Sequence, residues 1–139
     1  MASIYKEIPI NVDLQTVWES VRDVGNVHKR LVPGYAAETR IEGDTRILTM
    51  SNGNIVRELI IGIDDSNYRL AYSVKDSQMP ITHHHASFQV FPDGINSCRL
   101  VWITDNILPH ELESEVRARV DRGAEVMKET LESKNAYGK

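Results

Sequence analysis

Residues 46–63, RILTMSNGNIVRELIIGI, have the pattern of two β-strands joined by a tight turn. Asn52 and Gly53 form the Asn-Gly pair typical of two-residue hairpins, because both residues tolerate the left-handed backbone that such turns require. The flanking segments are rich in Ile, Leu, Val and Thr, which favour strands. This stretch therefore predicts an antiparallel hairpin, and the rest of the fold follows by extending it in both directions.

Further strand-like segments lie on both sides of this hairpin, separated by short turns that contain Gly, Asn, Asp or Pro. Successive strands with short connections predict an antiparallel meander rather than a parallel sheet. With one strand near the N-terminus, the sequence predicts seven strands, at residues 3–10, 36–42, 46–50, 55–63, 68–75, 81–91 and 95–106.

Two short helices are predicted between the first and second strands. The first has apolar residues at helical spacing, and a polar side chain just before it can cap its free N–H groups. The apolar residues are Leu14, Val17, Trp18 and Val21, and the candidate caps are Asn11 and Asp13. The second helix covers residues 27–30 and ends before Pro33 and Gly34, which break helices.

A long helix is predicted over residues 109–133. Pro109 suits its first turn, where a missing N–H costs nothing. Its apolar residues follow a spacing of three to four: Leu112, Val116, Val120, Met127 and Leu131. At about 1.5 Å per residue this helix would be roughly 37 Å long. The predicted fold class is α+β, with a curved seven-stranded antiparallel sheet around a long C-terminal helix and two short helices after the first strand.

Composition limits the classes of function. The 139 residues are 41% hydrophobic and 26% charged, which fits one globular domain over residues 1–139. A formal charge of -4 argues against a nucleic-acid partner, which needs a concentrated basic face. Without a long apolar run or an apolar signal core, we expect no membrane insertion and a mature chain that starts at Met1. A single cysteine, Cys98, suits a cytoplasmic protein, and a homodimer is compatible with the sequence.

Short motifs along the chain support this order of elements. They are Val17-Trp18, Val21-Arg22-Asp23, Gly25-Asn26, Leu31-Val32-Pro33-Gly34, Arg57-Glu58-Leu59, Ile63-Asp64-Asp65, Leu70-Ala71-Tyr72-Ser73-Val74 and Val101-Trp102. In the order β-α-α-β-β-β-β-β-β-α, they resemble the helix-grip superfamily over residues 8–131. That superfamily includes polyketide cyclase/dehydrase-like proteins, plant abscisic-acid receptors, the birch-pollen allergen and the START-like lipid-transfer domains.

The resemblance implies a deep apolar cavity between the sheet and the C-terminal helix. In the superfamily such cavities bind lipids, steroids, polyketides or hormones. It does not imply a reaction, because fold and function are separable. One departure is Arg30, whose position often holds an aromatic residue in bacterial relatives, so the cavity entrance is expected to differ here.

Alternation along the strands assigns side chains to the two faces of the sheet. His84 shares an apolar face with Phe88, so we expect it to point inward, whereas His83 and His85 point to solvent. Alternation in the strands and the apolar spacing of the long helix together predict the walls of the cavity: Tyr72, Phe88, Leu100 and Trp102 from the sheet, and Val120, Gly123 and Met127 from the helix. Gly123 would either leave room for a ligand or let the helix pack closely, and the sequence does not decide between these.

The orientation of Glu58 is ambiguous from periodicity, which slightly favours solvent. The resemblance implies the opposite, because the matching glutamate of the hormone receptors lies inside the cavity, and we follow the resemblance. A charged carboxylate there would need a partner or ordered waters. In the opposite orientation Arg57 would point inward, and the site would prefer an acidic ligand.

The three consecutive histidines allow several roles. His83 and His85 are two apart on one strand and could share a zinc ion, but the sequence offers no evident third ligand. We therefore predict solvated side chains, no metal site and no cofactor. His84 is expected to contact a ligand, to act in acid–base chemistry, or to be a structural residue bonded to a neighbour such as Tyr72.

Three functions follow. The leading hypothesis is binding of a small, mostly apolar ligand, with Glu58 and His84 as polar anchors. The second is an enzyme, a cyclase or dehydratase that acts on a polyketide-like ketone, in which Glu58 and His84 carry proton transfer. The third is a protein-interaction module in which an occupied cavity reshapes the loops 51–54 and 77–80.

Overall fold

Seven strands form one antiparallel sheet in the computed structural model, which describes residues 2–137 and the side chains of residues 3–105 and 107–133. The strands are β1 Ala2–Ile10, β2 Ala36–Glu42, β3 Thr45–Met50, β4 Ile55–Asp64, β5 Arg69–Asp76, β6 His83–Pro92 and β7 Cys98–Leu108. Their spatial order is β1-β7-β6-β5-β4-β3-β2, and every neighbouring pair is antiparallel. The predicted meander is therefore confirmed.

Two short helices follow β1, as predicted: α1 Leu14–Arg22 and, after a single 3-10 turn, α2 Val27–Arg30. Asp13 is the N-cap of α1, because its carboxylate accepts a hydrogen bond from the backbone N–H of Thr16 at 3.1 Å. No helix within residues 2–137 is long and apolar enough to cross a membrane.

The long helix α3 covers Glu113–Tyr137. It begins later than the predicted residue 109, because Pro109 has an extended backbone and precedes a 3-10 turn, His110–Leu112. The predicted α+β helix-grip fold is otherwise confirmed: a curved antiparallel sheet, two short helices after the first strand and a long C-terminal helix.

The inner face of the sheet carries two apolar clusters. The larger one joins the sheet to α1, α2 and the second half of α3, and includes Val17, Trp18, Val21, Leu70, Val90, Leu100, Ala124 and Leu131. The smaller one joins β1 and β7 to the first half of α3, and consists of Ile4, Ile107, Val116 and Val120.

The inward-facing rows of three central strands change character along their length. Each row begins with an aliphatic residue and continues with an aromatic one. Beyond the aromatic residue, the side chains are smaller or polar. The rows are Leu70, Tyr72 and Val74 on β5, Val90, Phe88, Ala86 and His84 on β6, and Leu100, Trp102 and Thr104 on β7. This gradient separates a packed end of the inner face from a hollow end.

Candidate ligand-binding cavity

A cavity of about 160 Å³ lies between the hollow end of the sheet and α3. All but one of the predicted site residues line it: Glu58, Tyr72, His84, Phe88, Trp102, Val120, Gly123 and Met127. Among the other lining residues, Tyr35, Met50, Met79, Ile81 and Arg119 are partly exposed, which marks the open side of the cavity.

Leu100 is the exception among the predicted wall residues. It is fully buried in the larger apolar cluster and is not part of the cavity lining. Leu100 pairs with Val90, one step from the Phe88–Trp102 pair towards the packed end. Alternation gave its face correctly, but α1 and its neighbours fill the space in front of it.

Three aromatic residues form the boundary between the packed core and the cavity, and we call them the aromatic layer: Tyr72, Phe88 and Trp102. The Phe88 ring stacks on Trp102 with centroids 4.6 Å apart and on Tyr72 at 5.9 Å. The indole N–H of Trp102 donates to the Tyr72 hydroxyl oxygen at 3.0 Å, which supplies the partner that a buried indole needs. Burial raises the pKa of Tyr72, and the Glu58 carboxylate raises it further.

Gly123 brings α3 close to this layer. A Cβ added at Gly123 would lie 3.2 Å from two atoms of the Trp102 ring and 3.8 Å from Tyr35. Contacts of 3.2 Å are tighter than ordinary van der Waals contact, so a side chain here would displace the indole. Of the two roles considered for Gly123, close packing of the helix on the sheet therefore has direct structural support.

Glu58 lies on the inner face, 6% exposed, and forms an ion pair with Arg46, which is 4% exposed. The Nε and Nη2 atoms of Arg46 both lie 2.8 Å from Oε1 of Glu58. Arg57 points outward instead, where its exposed side chain is 3.7 Å from Asp76. The inward-facing Arg57 considered from the sequence is therefore excluded.

Arg46 is the main cavity residue that the sequence analysis missed. It lies directly opposite Glu58 in the β3–β4 register. Opposite charges in directly facing positions of a hairpin stabilise each other. A two-residue turn at Asn52 and Gly53 would pair Arg46 with Leu59, and the observed register, shifted by one residue, brings Glu58 opposite Arg46 instead. Arg46 also lies with its guanidinium 5.5 Å from the centroid of the Tyr72 ring, which links the ion pair to the aromatic layer.

His84 is 8% exposed and lines the cavity. Its Nδ1 accepts a hydrogen bond from the backbone N–H of Val74 at 3.0 Å, and its ring centroid lies 5.8 Å from that of Tyr72. Burial, with smaller contributions from the nearby His85 and His83, lowers the pKa of His84 to about 4. The side chain is therefore a neutral imidazole near pH 7.

The two flanking histidines point away from the cavity: His83 is exposed and His85 is partly exposed. A register shift between these two residues interrupts the pairing of β6 with β7. In the part of the chain that the structure describes, no group of three His, Cys, Asp or Glu side chains could hold a metal ion.

Several polar atoms of the lining lack a described partner. These are Oε2 of Glu58, Nη1 of Arg46, Nε2 of His84 and the hydroxyl of Thr104. Every fully buried side-chain nitrogen or oxygen among the described residues has a hydrogen-bond partner. Atoms without one are therefore not fully buried, and all four residues that carry them line the cavity.

The two loops considered as gates differ in position. Residues 77–81 contribute Ser77, Met79 and Ile81 to the lining, whereas no residue of the loop 51–54 contributes. Arg30 bonds to Asp23 at 2.9 Å and is not part of the lining, so it does not shape this entrance. Burial raises the pKa of Cys98 to about 11, which suits an unreactive thiol in the packed core.

The chain matches the family model "Polyketide cyclase / dehydrase and lipid transport" over residues 1–132. No curated protein matches it. Its fold is similar to that of a putative uncharacterized protein from Bacillus thuringiensis, with 17% identity and a TM-score of 0.84, over 94% of this chain and 98% of that one.

Two other solved structures extend the comparison. A START superfamily protein from Mycobacterium smegmatis has 12% identity and a TM-score of 0.78, over 94% of this chain and 97% of its own. Norcoclaurine synthase from Thalictrum flavum, in complex with dopamine and hydroxybenzaldehyde, has 16% identity and a TM-score of 0.77, over 99% and 88%. At such identities the similarity shows the fold alone.

Proposed function

The chain belongs to the polyketide cyclase/dehydrase and lipid transport family, and we propose that it binds a compact, mostly apolar small molecule in the cavity between the sheet and α3. The observation that carries this proposal is an apolar cavity whose lining includes a few buried polar residues, Arg46, Glu58, His84 and Thr104, not all of whose polar atoms are bonded to other described residues. Such a pattern, apolar walls with a small number of placed polar groups, is typical of sites for small molecules.

The size of the cavity limits the ligand. Its volume of about 160 Å³ is close to that of an engineered protein cavity of about 150 Å³ that binds benzene. It is smaller than the roughly 300–1,000 Å³ of sites for drug-sized molecules. A single ring or a short branched chain fits without movement, whereas a multi-ring polyketide or a lipid would require the wall formed by residues 77–81 to move outward.

The polar anchors of this site would be the Arg46–Glu58 pair and His84. The ion pair uses one carboxylate oxygen of Glu58 and leaves the other open, and it leaves Nη1 of Arg46 open as a donor. Because the two charges neutralise each other, the site suits a neutral ligand with one polar end better than an anion or a cation.

The test is binding of a one-ring probe, methylenecyclohexane, measured by NMR titration and by thermal shift. Val120→Phe places a larger side chain in the cavity from α3 and should weaken binding at least tenfold. Ala118→Phe adds the same side chain on the exposed face of the same helix and should leave binding unchanged. Absence of binding of both methylenecyclohexane and the ketone of the same size, cyclohexanone, to the unmodified protein, or equal binding by both variants, would contradict the proposal.

A second candidate function is enolisation of a ketone, supported by the open oxygen of Glu58. In this step Oε2 takes a proton from the carbon next to the carbonyl, the C–H electron pair becomes the C=C bond, and the carbonyl π electrons move to oxygen. Return of a proton restores the ketone. Exchange of the α-hydrogens of cyclohexanone for deuterium in D₂O would report this step. Exchange that continues at an undiminished rate in Glu58→Gln rules out the assignment.

A further inference from the structure

The hydrogen bond at His84 occurs where two neighbouring strands separate. The ladder between β5 and β6 ends with the pair Tyr72 and Ala86. Two residues further along β5, the backbone N–H of Val74 donates to Nδ1 of His84 rather than to a backbone carbonyl of β6. The imidazole therefore satisfies a backbone donor that the end of the ladder would otherwise leave without a partner.

This contact determines the tautomer of the ring. A neutral imidazole has one hydrogen, on one of its two nitrogens, and the other nitrogen is an acceptor. Since Nδ1 accepts from Val74, the hydrogen must be on Nε2. No side chain of residues 3–105 and 107–133 is bonded to Nε2, and His84 lines the cavity. A fully buried nitrogen would have a partner, so the Nε2–H group is accessible, and the cavity is the space beside it that a ligand would occupy.

We propose that His84 is a fixed hydrogen-bond donor that selects ligands with a neutral carbonyl oxygen, and that it is not an acid–base residue. This inference rests on the proposed binding function and names the chemical class of its ligand: ketones, aldehydes, esters or amides. The backbone N–H of Val74 prevents the alternative, because a hydrogen on Nδ1 would face that N–H directly.

Other polar groups fit the site less well. An ammonium group has no acceptor and would turn its own hydrogens towards the N–H of His84. A carboxylate would bring a further charge into a buried site where Arg46 is already paired with Glu58, and burying an uncompensated charge is costly. A carbonyl oxygen only accepts hydrogen bonds and carries no charge, so it matches the donor at Nε2.

Under this proposal, His84 takes no part in proton transfer. Nε2 already carries a hydrogen and has no lone pair for a proton. The nitrogen that could take one, Nδ1, accepts the hydrogen bond from Val74 and is not available to a ligand while that bond is intact. The lowered pKa of His84 agrees with a ring that remains neutral. In the enolisation step above, His84 would thus bind the carbonyl oxygen, while Glu58 alone would take the proton.

The first experiment determines the tautomer of His84 in the full chain by ¹⁵N NMR at pH 7. We expect a protonated Nε2 and an unprotonated Nδ1, with His84→Asn used to assign the signals. The reverse tautomer, or rapid exchange between both, would overturn the proposal. This measurement is made on the unmodified protein and does not depend on the stability of any variant.

The second experiment compares cyclohexanone with methylenecyclohexane, in which a CH₂ group replaces the carbonyl oxygen. His84→Asn keeps an acceptor close to the position of Nδ1 and removes the donor at Nε2. It should weaken cyclohexanone binding roughly fivefold to tenfold, the usual contribution of one hydrogen bond, with methylenecyclohexane changed less than twofold. His84→Gln, whose amide reaches the Nε2 position, should restore part of the preference.

The outcomes separate the two proposals. If neither probe binds the unmodified protein, the proposed binding function fails and this inference fails with it. If methylenecyclohexane binds but His84→Asn leaves the preference for cyclohexanone unchanged, or weakens both probes equally, only the role of His84 is overturned.

Discussion

The two ends of the inner face are built from the same strands but differ in what covers them. At the packed end, α1 covers the sheet, and its Val17 and Trp18 are at most 1% exposed and lie outside the cavity lining, which α1 reaches only at Val21. At the hollow end, α3 places a glycine, Gly123, against the aromatic layer, and a loop at residues 77–81 forms part of the wall. Strand alternation alone therefore gives the face of a residue, and the covering element decides whether that position is packed or open.

The two ends also differ in polarity. Of the six buried polar residues that the structure identifies within residues 3–105 and 107–133, four line the cavity: Arg46, Glu58, His84 and Thr104. Buried charges and polar groups reduce stability unless they are paired, and the packed end shows that this sheet can be filled with aliphatic residues. The concentration of the buried polar residues around the cavity supports a role for them in recognition rather than in folding.

The largest effect is expected from removing one member of the buried ion pair. Glu58→Leu leaves the Arg46 guanidinium, 4% exposed, without its partner and should lower the free energy of unfolding by about 3 to 5 kcal/mol. Urea denaturation measures this. Replacing both residues by Leu should recover most of the loss, because no charge is then left unpaired.

The matched control for this experiment lies on the other face of the same strand. Arg57 pairs with Asp76 at 3.7 Å, with both side chains largely exposed. Arg57→Leu should change stability by less than about 1 kcal/mol, since surface ion pairs contribute little. Similar losses for Glu58→Leu and Arg57→Leu would show that water in the cavity screens the inner pair as well as bulk solvent screens the outer one.

The second effect is a dependence of the free energy of unfolding on pH, caused by His84 at the hollow end. The pKa of His84 is about 4 in the folded protein, against about 6.5 for an unfolded histidine. As the pH falls below 6.5 the unfolded chain takes up a proton that the folded chain does not. The free energy of unfolding should therefore decrease between pH 6.5 and pH 4, by about 3 kcal/mol at most.

Denaturation curves of the unmodified protein and of His84→Asn, recorded from pH 7 to pH 4.5, test this. The variant should show a flatter profile in that interval, because it lacks the titrating group. Carboxylates with lowered pKa values, such as Asp23 and Asp65, also make stability depend on pH, but at lower pH and equally in both proteins. Superimposable profiles would mean that His84 titrates normally in the folded state.

The fold could be predicted from the sequence because local signals agree with one another along the chain. Turn residues separate the strands, and the apolar spacing of α1 and α3 indicates one buried face on each helix. Alternation also placed Tyr72, Phe88, Trp102 and His84 on the inner face, where the structure has them. Glu58 was ambiguous from alternation, and only the family resemblance favoured the inward orientation.

Three features of the site could not be predicted in this way. Leu100 is packed in the larger apolar cluster rather than open to the cavity, and a period of two residues does not encode what covers a position. The hydrogen bond from Val74 to His84 depends on where the β5–β6 ladder stops, and hairpins with a long connection such as residues 77–82 leave this undetermined. The Arg46–Glu58 pair depends on a register one residue away from that of the predicted two-residue turn, and the Asn-Gly motif does not fix this shift.

The smallest effect is expected at the contact between Gly123 of α3 and Trp102 of the aromatic layer, which lies between the two ends. Gly123→Ala gains about 1 kcal/mol in helix propensity, but its Cβ would lie 3.2 Å from the Trp102 ring. The indole cannot move freely, because it stacks on Phe88 and donates to Tyr72. Since overpacking costs about 1 to 3 kcal/mol, we expect a net loss of about 1 kcal/mol in urea denaturation.

Ala118→Gly, at an exposed position of the same helix, isolates the propensity term and should cost about 1 kcal/mol. With that term known, the packing cost of Gly123→Ala follows by difference. A net gain in stability for Gly123→Ala would mean that the aromatic layer yields easily towards the cavity. The hollow end would then be soft as well as open, and it could admit guests larger than one ring because its inner boundary would move with the ligand.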